Sequence, residues 1–221
     1  MKKIVFAISV LLLGITEVNA QKKSAFEGVV VYDMSFGGSG LPPEAIAMLK
    51  GSTITMYMKD HMRREDMKTP IATSSNILDE KSKTMVNLMD MVGKKYLIRS
   101  SENELKKEEE NTVVSAINYS EETKTIAGYK CKKADVTVKI NQGKEETVTV
   151  FYTDKLPYSD FRAAYKGLKG FPMEYTITQN GMKLSLTASK VSKEAVGDDK
   201  FAIPSGYTET TLEELRKNGG Q

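Results

Sequence analysis

The sequence predicts a mainly β protein, a curved antiparallel sheet or incomplete barrel with minor helix. Two observations carry that expectation. Apolar and polar residues alternate with period two through one segment after another, the pattern of strands with one buried face. Short turns of hairpin type join these segments, whereas helical spacing is confined to a few brief stretches.

Phe26 to Phe36 is the first strand, with Phe26, Val30, Tyr32, Met34 and Phe36 on one face and Glu27, Asp33 and Ser35 on the other. Gly37-Gly38-Ser39-Gly40 breaks it. Pro42-Pro43 opens a short helix, Glu44 to Lys50, since proline suits a helix's first turn, and Gly51 ends it. Period two returns with Ile54, Met56 and Met58 on one face. Lys59-Asp60-His61 turns the chain into a charged strand, Met62 to Lys68. Further strands are predicted at Asn76 to Asp79, Thr84 to Asp90 and Lys95 to Ser100, making the middle of the chain a meander.

Glu102 to Asn111 is almost all charge or amide and reads as a solvated loop or a short helix without a packed face. Tyr129 to Ile140 and Glu145 to Thr153 form a hairpin around Asn141-Gln142-Gly143-Lys144. Ser159 to Leu168 reads as a short helix. Phe171, Met173, Tyr175 and Ile177 then alternate, Asn180-Gly181 supplies a type I′ turn, and Met182, Leu184, Leu186 and Ala188 alternate back. Thr210-Thr211-Leu212-Glu213 fits a capping box that opens a last short helix to Lys217.

The N-terminus reads as a secretory signal. Met1-Lys2-Lys3 precedes an apolar run, Ile4 to Ile15, and Val18-Asn19-Ala20 places the cleavage point after Ala20. The run is shorter than the roughly 20 apolar residues a membrane-spanning helix needs, and no later segment approaches that length. The expectation is a periplasmic or secreted chain of one domain, residues 21–221, with its core about 26–208 and no transmembrane segment. Removing residues 1–20 takes Lys2, Lys3 and Glu17 from 32 basic and 29 acidic side chains. The remaining balance of charge argues against a nucleic-acid partner, which would require a clustered basic surface. Cys131 is the single cysteine, so no internal disulfide forms and the fold rests on its core.

The segment Ile126-Ala127-Gly128-Tyr129-Lys130-Cys131-Lys132-Lys133-Ala134, followed by Val150 to Pro157 and by Gly170-Phe171-Pro172-Met173-Glu174, resembles the exported domain-of-unknown-function 4412 family. That family is similar in turn to the periplasmic lipoprotein-carrier superfamily (LolA/LppX-like). The resemblance implies an incomplete barrel whose apolar hollow holds an acyl chain or a similar ligand.

No catalytic motif is present. The chain has no Gly-x-Ser-x-Gly elbow, no His-Glu-x-x-His helix, no paired-cysteine motif and no phosphate loop ending in Gly-Lys-Ser/Thr. Cys131 reads as a buried, inert residue, because Lys130 and Lys132 beside it would point to the opposite face of a strand. Seven methionines, Met56, Met58, Met62, Met67, Met85, Met89 and Met91, crowd one stretch, and flexible thioethers suit irregular apolar ligands. The same spacing, Met56-Tyr57-Met58 and Met89-Asp90-Met91, would also suit Cu(I), a second reading.

The function expected is therefore non-enzymatic binding of a lipid-like or other apolar molecule, without a cofactor. The residues expected to line the site are Met34, Phe36, Met56, Met58, Phe171, Met173, Tyr175, Met182, Leu184 and Leu186. An envelope interaction protein without a small ligand is the alternative.

Overall fold

The computed structural model describes residues 26–38, 40–91, 93–109, 112–140, 144–160, 165–179 and 181–218. The signal segment lies outside them, as do parts of two predicted turns (141–143 and Asn180) and the middle of the helix expected at 159–168. Of that last stretch, the described residues 165–168 form a turn closed by Leu168 N–H donating to the Tyr165 carbonyl at 3.2 Å.

The described residues form one twelve-stranded sheet. Six strands make a first meander: β1 (Gly28–Gly38), β2 (Thr53–Lys59), β3 (Met62–Lys68), β4 (Ala72–Asp79), β5 (Thr84–Met91) and β6 (Lys94–Ser100). Five make a second: β7 (Thr112–Ile126), β8 (Tyr129–Ile140), β9 (Lys144–Thr153), β10 (Phe171–Gln179) and β11 (Met182–Lys193). The meanders join along β1 and β11, so the first long strand pairs with the last at the centre of the sheet. All these pairs are antiparallel. A two-residue strand, β12 (Thr208–Glu209), adds a short parallel pair at the edge of β6.

Sequence reading misses β7 entirely. Most of its side chains are exposed on both faces, so it shows no clean alternation for a period-two search to find. Its register with β8 also shifts twice, between Val114 and Ala116 and between Tyr119 and Thr123. Such bulges bend a strand and increase its twist.

The edges of the sheet are β7 and the β6/β12 side. Helix α2 (Glu102–Glu109) connects β6 to β7 and contacts both. Glu104 reaches back over its first turn, its Oε2 accepting from the Ser101 N–H at 2.8 Å and from the Ser101 Oγ at 2.6 Å. The expectation of a helix with no packed face is corrected here: Leu105 is only 1% exposed. One apolar residue among eight is too weak a periodic signal to detect, yet it suffices to anchor a helix laid across the gap between two edges.

Helix α1 (Pro43–Met48) begins with Pro43 at its first turn and buries none of its residues. Gly51, at φ +82, follows it in the left-handed conformation that glycine adopts without strain.

One face of the sheet curls around the main core. Register places Tyr32 beside Ile54 and Ala188, and Met34 beside Leu186. On the other meander Val136 faces Val148, and Ala134 faces Val150. These residues, with Met56, Met58, Met173 and Tyr175, form a single cluster. The connection between β9 and β10 lays Leu156, Tyr165 and Leu168 into the same interior.

The opposite face carries a smaller cluster of Ile77, Leu88 and Leu97, packed against Phe201 and Tyr207. Those two residues belong to the C-terminal segment, which crosses the outside of β3 to β6. Arg64 Nη1 donates to the Lys200 carbonyl at 2.8 Å, and Lys59 Nζ bonds Asp198 Oδ1 at 2.6 Å. The segment then pairs as β12 and continues into α3 (Leu212–Asn218).

The capping box of α3 sits one residue later than expected. Glu214 N–H donates to Thr211 Oγ1 at 3.1 Å, and Thr211 N–H donates back to Glu214 Oε2 at 3.0 Å. Thr210 stands outside the box: its N–H donates to the Leu97 carbonyl at 2.9 Å as the strand pairing runs out, and its hydroxyl donates to Glu214 Oε2 at 2.9 Å.

Candidate functional site

The interior is built from two chemically different halves. Across β1, β2, β10 and β11 it is aromatic and aliphatic. The Tyr32 hydroxyl donates to the Pro172 carbonyl at 2.7 Å; its ring stacks with Phe171 and meets Tyr175 edge-on at 5.9 Å between centroids. Tyr175 in turn meets Tyr165 edge-on, and the Tyr165 hydroxyl donates to the Thr176 carbonyl. Burial raises the pKa of these phenols and of neighbouring Tyr158, whose hydroxyl donates to the Tyr165 carbonyl at 2.9 Å, pushing Tyr158 up to about 12 and Tyr32, Tyr165 and Tyr175 well above their ordinary range. They are therefore neutral hydrogen-bonding aromatics at physiological pH.

Toward β3 the same face becomes polar. The register sets Arg63 beside Met58, Glu65 beside Met56 and Met67 beside Ile54. It continues with Leu78 beside Arg63 and Asn76 beside Glu65, then Met85 and Asn87 on β5, then Ser100 and Ile98 on β6. Arg63 is 8% exposed, with Nε 3.1 Å from Glu65 Oε1 and Nη1 3.5 Å from Glu80 Oε1. Asn87 Nδ2 donates to Asn76 Oδ1 at 2.7 Å.

Over this polar floor lies a cavity of about 310 Å³ lined by Glu65, Asn76, Leu78, Met85, Asn87, Ile98, Ser100 and, from α3, Leu212. Half of the lining residues are polar and half apolar. Pairing between the two amides leaves one donor-bearing Asn76 nitrogen and one Asn87 carbonyl oxygen with capacity to spare. Glu65 and Ser100 add further acceptor and hydroxyl groups. Such a lining can orient a small amphiphilic molecule by hydrogen bonds while shielding its apolar part.

The ten residues expected to line a site lie mostly beside this cavity, within the packed interior. Met34, Met56, Met58, Phe171, Met173, Tyr175 and Leu186 are buried in the main core, and Phe36 and Leu184 pack against it half-buried. Met182 is half-buried at the start of β11, opposite Gly38. None of the ten is among the residues lining the cavity.

Sequence reasoning missed Glu65, Asn76, Asn87 and Ser100. A signal existed: Asn76 shares its strand face with Leu78, and Asn87 shares its face with Met85 and Met89. A polar amide at an inward position of a strand is a poor β former that needs a reason to be there.

Other candidates resolve simply. Cys131 is fully buried, and burial pushes its thiol up, which disfavours the reactive thiolate. His61 is exposed, its Nε2 3.7 Å from Asp79 Oδ1. Met56 and Met58 share the inner face but are packed in the core, while Met62 faces the outer cluster. Among the described residues no three His, Cys, Asp or Glu side chains are grouped to hold a metal, and no helix is long and apolar enough to cross a membrane.

A curved open sheet with a lined hollow on its inner face defines a half-barrel β protein. Within that class, the chain belongs to the N-glycanase peptide, N-terminal domain family, whose model matches residues 32–204. The matching family thus differs from the domain-of-unknown-function 4412 family that the turn and strand residues resemble. No curated protein matches the chain. The crystal structure of LprF from Mycobacterium bovis is similar over 83% of this chain and 91% of that one, with a TM-score of 0.40 and 11% identity.

Proposed function

We propose that the protein is a binding module that holds a small apolar or amphiphilic molecule on the inner face of its half-barrel. The observation that carries this reading is the cavity above β3 to β6. Its volume lies at the lower end of the range of small-molecule sites, and its lining combines apolar walls with a few convergent polar groups. The packed side chains of Met56, Met58, Tyr175 and their neighbours would act as a rigid apolar wall beside it. We place this activity outside the cytoplasm, on the strength of the signal-like residues 1–20.

Native mass spectrometry of protein purified from its host, followed by solvent extraction, tests the proposal. A retained amphiphile that is lost in Leu212→Trp, where the larger ring would fill the cavity, is the expected result. An empty protein that binds no apolar fluorescent probe would end it.

A further inference from the structure

The exposed apolar side chains are distributed unevenly between the two ends of the half-barrel. Antiparallel register brings the β1–β2 connection, the β3–β4 turn, the β5–β6 turn and the β10–β11 turn to one end, along with the starts of β7 and β9. Met48 (61% exposed), Ile71 (60%), Val113 and Ile177 all lie at or near that end. They are four of the seven exposed large hydrophobic residues among those described. Turns at the other end, Asp60-His61, Glu80-Lys81-Ser82-Lys83 and Ala127-Gly128, expose no large apolar side chain.

Three successive tips at the apolar end stand side by side. Thr53 pairs with Lys68, which sets the exit of α1 next to the β3–β4 turn, and Ala72 pairs with Met91, which sets that turn next to the β5–β6 turn. At roughly 4.8 Å per strand, the row is about 20 Å long. The middle tip is tight: Thr69 N–H donates to the Ala72 carbonyl at 2.9 Å, and Ile71 projects from it.

Each tip also carries an exposed lysine, Lys50, Lys68 and Lys94, and none of the three has an ion-pair partner among the described residues. The acidic residues nearest the row are largely engaged elsewhere: Asp66 with Arg64 and Asp90 with Lys95. Glu44, on α1, is the exception. Projecting aliphatic side chains interspersed with free cations fit an anionic lipid surface, where the lysines meet headgroup phosphates and the aliphatics enter the interface.

We propose that this end of the half-barrel docks reversibly on anionic membranes through Met48, Ile71 and the lysines at positions 50, 68 and 94. The test is co-sedimentation of the full mature chain with phosphatidylcholine vesicles, with and without phosphatidylglycerol. Binding should require phosphatidylglycerol and weaken with added salt. Lys50→Gln, Lys68→Gln and Lys94→Gln should each weaken it about fivefold, and the triple variant by on the order of a hundredfold. Met48→Ser with Ile71→Ser should weaken it with the salt dependence retained. All of these positions are exposed, and circular dichroism should show every variant folded. No sedimentation with phosphatidylglycerol vesicles, or binding indifferent to both sets of substitutions, would overturn the proposal. So would capture of these tips by a protein partner with no vesicle binding.

Discussion

Asn87 and Asn76 face each other directly across β5 and β4, and the Asn87 side-chain amide donates to the Asn76 carboxamide oxygen at 2.7 Å. The pair forms the floor of the cavity, and each amide satisfies part of the other's hydrogen-bonding capacity. Replacing Asn87 with Leu leaves the Asn76 oxygen without that donor, at an expected cost of about 1 kcal/mol in a urea titration. The same change should weaken retention of any bound amphiphile. Unchanged retention would show that the amide floor does not contact the ligand.

Tyr32 crosses the junction between the meanders, its hydroxyl on the Pro172 carbonyl from 140 residues away in sequence. Tyr32→Phe keeps the ring packing and removes that donor, leaving a buried carbonyl unpaired. A loss of about 1–3 kcal/mol is expected from denaturant unfolding. A loss below measurement error would mean that water replaces the phenol.

The buried tyrosines make stability sensitive to alkali. Burial raises the folded-state pKa of Tyr158 to about 12, above the ordinary tyrosine range, and raises those of Tyr32, Tyr165 and Tyr175 as well. Above pH 10 the unfolded chain releases these phenolic protons first, so it binds fewer protons than the folded chain and stability falls as pH rises. The contribution is complete below pH 10 and is lost as pH climbs toward 12. Thermal melts across that window, with tyrosinate absorbance followed in parallel, should show ionisation coinciding with unfolding. Ionisation well before unfolding would show that the phenols are accessible.

Among the described side chains of α2, Leu105 is the one fully buried, and α2 contacts both β6 and β7. Leu105→Ala should cost about 2–5 kcal/mol, as expected for a leucine removed from a packed site. Lys106→Ala on the exposed side, which removes only an i,i+4 pair with Glu102, should cost about 0.5 kcal/mol or less. Equal small effects from both would mean that the helix does not close the seam.

Local periodicity was enough to read most of this fold. Phe26 to Phe36, Ile54 to Met58 and the Phe171-to-Ala188 hairpin announce themselves because a strand with one buried face must alternate, and that requirement acts residue by residue along the chain. β7 and Leu105 stayed hidden for the complementary reason: a strand exposed on both faces need not alternate, and a helix held by one anchor needs no stripe.

The cavity depends on contacts that periodicity does not encode. Alternation shows that Met56, Asn76 and Asn87 point inward, but register decides which inward residues meet, and curvature decides which of them fill the interior. Here the aromatic and methionine side chains of β1, β2, β10 and β11 pack against one another, while Glu65, Asn76, Asn87 and Ser100 border the space left over. The amino-acid order alone determined the strands and their buried faces, because those follow from neighbours two residues apart. Only the closure of the sheet decided where the hollow lies, because packing joins residues as distant in the chain as Glu65 and Leu212.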